Sequence, residues 1–177
     1  MSGAGDLGWL NELDAGACAD ALRRCCGSDA WVRSLVAARP FVSRDDLMDR
    51  SDRIWQSLQR DDWLEAFAAH PRIGSPAANG WAAGEQSGSV GASAAVRTRL
   101  SERNREYEAR FGHIFIVCAT GKSADEMLAL LEARLENAPD AELSIAAEEQ
   151  RKITRLRLDK LLIESAGRGV GNQRPGA

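Results

Sequence analysis

The sequence predicts an all-α fold, a single-domain helical bundle with a short extended buried segment near residues 113–119. Apolar residues recur at helical spacing along most of the chain, and Ser, Gly and Pro stand where these stretches begin and end. Only His113–Ala119 is short, apolar and rich in β-branched residues, as in a buried strand. Because a lone strand would have no partner, an extended buried segment is at least as good an interpretation. Its backbone N–H groups would need partners, and a bound ligand is one candidate.

A series of amphipathic helices follows from the spacing, taken in chain order. Their apolar faces carry Trp9, Leu13, Ala17, Ala21 and Leu22; Trp31, Leu35 and Val36; Leu47, Ile54, Trp55 and Leu58; Trp63, Leu64, Phe67 and Ala68; Val96, Leu100, Tyr107 and Phe111; Met127, Leu128, Leu131 and Leu135; and Leu143, Ala146, Ala147, Gln150, Ile153, Leu156 and Leu161.

Local signals mark several helix ends. Ser43-Arg44-Asp45-Asp46 and Ser123-Ala124-Asp125-Glu126 resemble capping boxes, which start helices. Pro40 stops the second helix, and Gly112 suits the position just after the long helix that ends at Phe111. The helices therefore have defined starts and stops as well as apolar faces.

The stretch from Gly74 to Ser93 is dominated by Gly, Ala and Ser. A flexible linker is one interpretation of this composition. The alternative is a functional loop, because Gly84-Glu85-Gln86-Ser87-Gly88 places a carboxylate and an amide on a mobile, accessible segment. The residues alone leave both interpretations open.

Composition limits the class of protein. The chain has 177 residues, 44% of them hydrophobic, which suits one domain with a real core. A formal charge of −3 argues against nucleic-acid binding, which needs a basic face. No apolar run reaches the length of a membrane span, and the N-terminus lacks the features of a secretory signal, so we expect a cytoplasmic protein. Residues 1–166 should form the helical domain and residues 167–177 a disordered tail.

The four cysteines predict neither a disulfide nor a metal site. Cys18 and Cys25 are seven residues apart, on one face of an expected helix, and are followed by Cys26 and Cys118. There is no Cys-x-x-Cys pair, and the further closely spaced Cys or His ligands that zinc requires are missing. Buried free thiols are the expected state.

His70 is one of only two histidines and lies in His70-Pro71-Arg72-Ile73-Gly74. Proline cannot follow a helix interior, so the preceding helix must end near His70. At a helix C-terminus the dipole favours a protonated imidazole, and histidine is well suited to proton transfer near neutral pH. An ordinary C-terminal cap is the simpler interpretation of the same pattern.

Arg157 shares an apolar helix face with Ile153 and Leu161, four residues to either side. A guanidinium on such a face needs an anion or a carbonyl partner. It can be a structural ion pair or a snorkelling side chain. It can equally be a clamp for a small oxyanion or carboxylate.

The motifs taken together resemble 2-oxo-4-hydroxy-4-carboxy-5-ureidoimidazoline (OHCU) decarboxylase, a family of urate breakdown. They occur in the family's order over roughly residues 10 to 163: Arg39-Pro40-Phe41, His70-Pro71-Arg72-Ile73-Gly74, Glu85-Gln86, Tyr107-x-x-Arg110-Phe111-Gly112, Phe115-Ile116-Val117-Cys118-Ala119-Thr120-Gly121, Arg134-Leu135-x-Asn137, Lys152-Ile153 and Leu156-Arg157-Leu158. Each piece is weak alone, but the ordered set is specific.

The resemblance implies an all-α, commonly dimeric enzyme that needs no metal or organic cofactor and decarboxylates OHCU to (S)-allantoin. It implies that His70, Glu85 and Arg157 are catalytic. It also implies a set of substrate-binding positions: Pro71, Ala82, Gln86, Phe115, Ile116, Val117, Cys118 and Ala119. The backbone amides of the last five are the expected contacts.

Some positions depart from the family's pattern. Ala82 stands where the family usually has a serine three residues before the Glu, so one hydroxyl contact is absent or comes from Ser87 or Ser89. Ile114 replaces a frequent proline. These changes concern the local geometry of the site more than the reaction.

Two other classes of function remain as alternatives. A non-catalytic helical interaction module would explain the apolar helices, but not the occurrence of His70, Glu85 and Arg157 in this order. A hydrolase of the same pathway would act on the preceding ring. Optically active allantoin formed from fresh OHCU would separate the decarboxylase from both.

Overall fold

The computed structural model describes residues 7–75, 80–89 and 91–169. The α-helices of that part of the chain are α1 (Gly8–Glu12), α2 (Ala15–Arg23), α3 (Asp29–Ala37), α4 (Arg44–Ser57), α5 (Arg60–Ala68), α6 (Gly80–Glu85), α7 (Ala94–Phe111), α8 (Ala124–Arg134) and α9 (Pro139–Gly169), with a short 3₁₀ helix at Ser87–Ser89. No strand occurs among these residues, so the predicted all-α fold is confirmed. His113–Ala119 has no regular structure and is largely buried, which favours the extended segment over the strand.

Helix ends follow the local signals. Ser123 and Glu126 form a complete capping box at the start of α8. Ser43 accepts from the N–H of Asp46, but the carboxylate of Asp46 accepts from the N–H of Val42 and not from that of Ser43. Gly112 ends α7 with a φ of 75°, a left-handed conformation that glycine adopts without strain.

The expected first helix is two helices, which corrects the prediction of one helix through Trp9 and Leu22. The break lies at Asp14, whose side chain accepts a hydrogen bond from the N–H of Ala17 and so caps α2. Because α2 ends at Arg23, Cys25 lies beyond it and does not share a helix face with Cys18. A capping residue can therefore divide a helix in two while the apolar residues on either side keep their helical spacing.

The Gly/Ala/Ser-rich stretch contains ordered structure, so the flexible-linker interpretation is wrong for residues 80–89. These residues form α6 and the 3₁₀ helix, while residues 76–79 and 90 lie outside the described part. At the other end, α9 extends to Gly169, and residues 170–177 lie outside the described residues. Residues 167–169, expected in the disordered tail, are therefore part of α9, and for residues 170–177 the tail stays a prediction.

The chain divides into two compact units. The first comprises residues 1–62 and 153–177, and the second comprises residues 63–152. The described core of the first unit includes Leu10, Trp31, Leu35, Leu47 and Met48, all fully buried.

The second unit has an aromatic and aliphatic core. Tyr107 stacks on Phe111 with ring centroids 4.6 Å apart and meets the edge of Phe115 at 5.4 Å. Met127 and Leu131 of α8 complete this cluster. The buried part of the 113–119 segment therefore belongs to the core of the second unit, where its position is set by α7 and α8.

Within the part of the chain that the structure describes, none of the helices combines the length and the hydropathy that a membrane span requires.

Candidate active site

His70 lies where the sequence predicts, just beyond the end of α5. The helix ends at Ala68, and the backbone N–H of His70 still donates to the carbonyl of Phe67 at 3.1 Å. The half-buried imidazole points its Nε2 at the side-chain Oε1 of Gln150, 2.7 Å away. Gln150 is fully buried on α9. The ring is therefore held by a buried side chain of a helix distant in sequence.

The loop that follows His70 is tied down by three side chains. Oε1 of Gln86 accepts from the N–H of Gly74 at 3.0 Å, and Nδ2 of Asn104 donates to the carbonyl of Ile73 at 3.3 Å. Arg72 pairs with Glu108, with 2.8 Å between Nη2 and Oε2, and this hydrogen bond lowers the pKa of the Glu108 carboxyl. One of the predicted binding residues, Gln86, thus holds the loop that carries His70.

Glu85 and Gln86 are buried at the end of α6, with 8% and 7% of their surfaces exposed. The 3₁₀ helix after them packs directly on the backbone of the turn at Lys122. A Cβ added to Gly88 would lie 2.9 Å from the carbonyl carbon of Lys122 and closer still to its oxygen. The absence of a side chain at Gly88 therefore permits this close approach.

Arg134 holds the first part of the 115–119 segment. Its Nη1 donates to the carbonyl of Ile116 at 2.7 Å, and its guanidinium lies over the ring of Phe115, 4.6 Å from the centroid. Cationic and planar, this group satisfies a buried carbonyl and an aromatic face at once. The path of the segment is consequently set from α8.

The same arginine belongs to a buried polar network in the second unit. Its Nε donates to Glu142 Oε1 at 2.8 Å, and Asn137 donates to the other carboxylate oxygen at 2.8 Å. Tyr107 donates its hydroxyl hydrogen to Glu142 as well. Burial, followed by the hydrogen bond to Glu142, raises the pKa of Tyr107, so this hydroxyl stays protonated. Glu142 is fully buried, and each partner offsets part of its desolvation.

The end of the segment is held from α9. The backbone N–H of Cys118 donates to Oε2 of Glu149 at 2.7 Å, and the Cys118 carbonyl accepts from Nζ of Lys122 at 2.9 Å. Glu149 also pairs with Lys152 at 2.6 Å. One of the amides expected to bind substrate is therefore engaged by a carboxylate of the same unit.

Burial and nearby charges shift the pKa of the Cys118 thiol. Burial raises its pKa most, followed by the negative charge of Glu149, and Glu85 contributes in the same direction. Lys122 acts in the opposite sense. Glu85 and Glu149 thus both lie within electrostatic reach of the 115–119 segment, and the thiol is protonated at neutral pH.

Most predicted site residues belong to the second unit: His70, Pro71, Ala82, Glu85, Gln86 and Phe115–Ala119. Arg157 belongs to the first unit, where it is half-buried on α9. Burial raises the pKa of the Cys25 thiol to about 12, and the charge of Arg157 opposes that rise. Among the described residues, no group of three or more His, Cys, Asp or Glu side chains is arranged to hold a metal ion.

Sequence reasoning did not assign roles to Glu149, Gln150, Arg134 or Glu142. A signal existed for Gln150, which interrupts the apolar stripe of the last helix. A buried amide must be hydrogen-bonded, so a polar residue at such a position indicates a specific partner. The partner itself, 80 residues earlier in the chain, is visible only in the fold.

Comparison with known proteins identifies the family. The OHCU decarboxylase family model matches residues 11–159. The chain belongs to the OHCU decarboxylase family. It is 41% identical over 155 residues to the uric acid degradation bifunctional protein TTL of Arabidopsis thaliana, covering 83% of this chain and 48% of that protein.

One further relative is similar over most of its length. The OHCU decarboxylase of Mus musculus is 27% identical over 165 residues, which is 89% of this chain and 93% of the mouse protein. The chain spans about half or less of the bifunctional relatives, 48% of the Arabidopsis protein and 32% of PucL of Bacillus subtilis.

Solved structures agree on the fold. An OHCU decarboxylase crystallised in the presence of (S)-allantoin is 40% identical, with a TM-score of 0.74 over 81% of this chain and 98% of that one. An (S)-allantoin synthase is 21% identical, with a TM-score of 0.67 over 88% of this chain and 53% of that one, and shares the fold.

Proposed function

We propose that this chain decarboxylates OHCU to (S)-allantoin in urate degradation, with His70 as the proton donor. The observation that carries the proposal is the convergence of two site elements on adjacent residues of α9. Gln150 holds the ring of His70, and Glu149 holds the backbone of Cys118. In a member of the OHCU decarboxylase family, this arrangement supports a shared substrate site.

The chemistry needs no external electron sink. When the bond to the carboxylate breaks, the electron pair spreads into the adjacent carbonyl-like or imine group of the substrate ring. The protein then has to anchor the carboxylate, stabilise the developing negative charge and deliver a proton to one face of the carbanion. His70 would deliver that proton as general acid.

Glu85 and Gln86 would orient the substrate. An ionised Glu85 only accepts hydrogen bonds, so it suits the N–H groups of a ureido substituent. Its burial strengthens such bonds, because water does not compete for the carboxylate. Gln86 would act in part through the loop, since its side-chain oxygen already holds Gly74. The amides of the 115–119 segment would hold substrate oxygens, with the N–H of Cys118 satisfied by Glu149 instead.

Arg157 would bind an anionic or carbonyl oxygen of the substrate, as the resemblance implies. Replacement by lysine should raise KM or lower kcat, because a point charge does not reproduce a planar bidentate fork. Arg155→Lys is a matched control on the same helix, since Arg155 pairs with Asp52 at 2.6 Å. Equal kcat/KM in Arg157→Lys and Arg155→Lys would assign Arg157 a structural role.

The deciding assay uses OHCU generated freshly from urate. The chain should accelerate CO2 release and produce optically active allantoin, whereas spontaneous decay gives the racemate. His70→Asn should reduce turnover by about 100- to 10,000-fold, the usual contribution of a general acid. Circular dichroism of the variant checks that it is folded. Racemic allantoin at the uncatalysed rate from the wild-type chain would refute the proposed function.

A homodimer and a cytoplasmic location complete the proposal. The homodimer rests on the family resemblance. Val42 and Ile163 of the first unit are large apolar side chains with 76% and 71% of their surfaces exposed, which makes them candidates for an interface. Sedimentation of the wild type and of Val42→Asp and Ile163→Asp tests this, and a monomeric wild type would contradict it.

A further inference from the structure

Gln150 makes a contact that has a consequence for the proton on His70. Its side-chain Oε1 lies 2.7 Å from Nε2 of the imidazole, and the glutamine is fully buried. A carboxamide oxygen only accepts hydrogen bonds. The contact therefore requires a hydrogen on Nε2, in both the neutral and the cationic ring.

The other histidine, His113, makes its hydrogen bond through the other ring nitrogen, Nδ1. Nδ1 of His113 lies 3.0 Å from the carbonyl oxygen of Ile114, which also only accepts. His113 is buried against the rings of Phe67 and Tyr107. The two histidines of the chain should consequently carry their hydrogens on different nitrogens, Nε2 in His70 and Nδ1 in His113.

An amide suits the positioning of a general acid. It fixes the ring plane and one nitrogen without adding a charge that would hold the proton on the ring. Its own position is fixed by burial in α9, next to Glu149, which holds the Cys118 backbone. Two adjacent residues of α9 thus hold the His70 ring and the 115–119 segment.

We propose that Gln150 is the positioning residue of His70, keeping a hydrogen on Nε2 so that Nδ1 is the nitrogen that delivers the proton. The proposal rests on the proposed decarboxylation. As the bond to the carboxylate breaks and CO2 leaves, its electron pair stays on the substrate carbon. The Nδ1 hydrogen then moves to that carbon, leaving neutral His70 with its hydrogen on Nε2. Water reprotonates Nδ1 before the next turnover.

The direct test is nitrogen NMR of protein labelled with ¹⁵N-histidine. With two histidines the spectrum contains two rings, and His113→Phe assigns them. At a pH where the rings are neutral, we expect His70 to show a protonated Nε2 and His113 a protonated Nδ1. A neutral His70 with its hydrogen on Nδ1 would overturn the proposal without any variant at Gln150.

Two variants at position 150 test whether the contact between Gln150 and the His70 ring affects turnover. Gln150→Leu removes the acceptor, so the Nε2 hydrogen of His70 should exchange faster with water, and kcat should fall by about 10- to 100-fold with KM little changed. Gln150→Glu keeps an accepting oxygen at the same place and should retain the protected Nε2 hydrogen. This second variant keeps the test decisive where Gln150→Leu does not fold.

Glu148→Gln is the matched control. Glu148 is an exposed residue of α9 that pairs with Arg151, and its replacement should leave both the His70 spectrum and kcat unchanged. An unchanged kcat in folded Gln150→Leu would refute the positioning role. If the wild type does not decarboxylate OHCU at all, the proposed function fails, and the NMR result still decides which nitrogen of His70 carries the hydrogen that Gln150 accepts.

Discussion

Gly88→Ala tests whether the close approach between the 3₁₀ helix and the turn at Lys122 sets the position of Glu85 and Gln86. The added Cβ would lie 2.9 Å from the Lys122 carbonyl carbon, closer still to its oxygen, and 3.4 Å from the Cα of Ser123. All three are backbone atoms, so no side-chain rotation relieves the overlap. Since ordinary contact begins near 3.4 Å, the two backbones must separate. To relieve the overlap between the added Cβ and the Lys122 carbonyl oxygen, the backbones must separate by on the order of 1 Å.

That movement should lower both activity and stability. It would shift Glu85 and Gln86 relative to the end of the 115–119 segment, and a displacement of about 1 Å in a catalytic constellation can cost on the order of 100-fold in rate. Overpacking of this kind lowers the free energy of unfolding by about 1–3 kcal/mol. We therefore expect folded Gly88→Ala with kcat/KM for OHCU reduced about 100-fold.

Gly84→Ala is the control. Its added Cβ would have no neighbour within 4 Å, and Gly84 lies inside α6. Alanine there should favour the helix by up to about 1 kcal/mol and leave kcat/KM unchanged. Allantoin formation followed by circular dichroism, with thermal unfolding of both variants, gives the comparison. Equal kcat/KM in Gly84→Ala and Gly88→Ala would show that this close approach does not position the site.

Further predictions concern stability and reactivity. Glu142→Gln leaves the buried cation of Arg134 without its anion and should lower the free energy of unfolding by about 3–5 kcal/mol in urea titrations; a loss below about 1 kcal/mol would contradict the network. Because burial raises the pKa of Cys25 to about 12, a thiol reagent should label half-buried Cys118 first and Cys25 only on unfolding. At the start of α8, the carboxylate of Glu126 accepts a hydrogen bond from the backbone N–H of Ser123. This hydrogen bond lowers the pKa of the Glu126 carboxyl below 4.5. The carboxylate therefore stabilises the fold above that pH and loses this effect as the pH falls through the lowered value. The Tm difference between wild type and Glu126→Gln should shrink from pH 7 to about pH 3, and a constant difference would oppose this sign.

Local signals predicted much of the fold because they act between residues close in sequence. The capping box at Ser123 and the left-handed glycine at position 112 set helix ends through contacts within a few residues. Pro71 ends the helix before His70 for the same local reason. Asp14 shows the limit, since a cap inside a regular apolar spacing divides a helix that periodicity alone would continue.

The sequence by itself determined the helical class, the end of a helix at His70 and the residue types available for proton transfer. Tertiary structure decided what those residues contact. The partner of His70 is 80 residues away, and Cys118 finds Glu149 31 residues away. Such pairs depend on burial in a common core, where an unsatisfied polar group is costly and a partner from any part of the chain can satisfy it. Periodicity can show that Gln150 is buried, but only packing brings it to the imidazole.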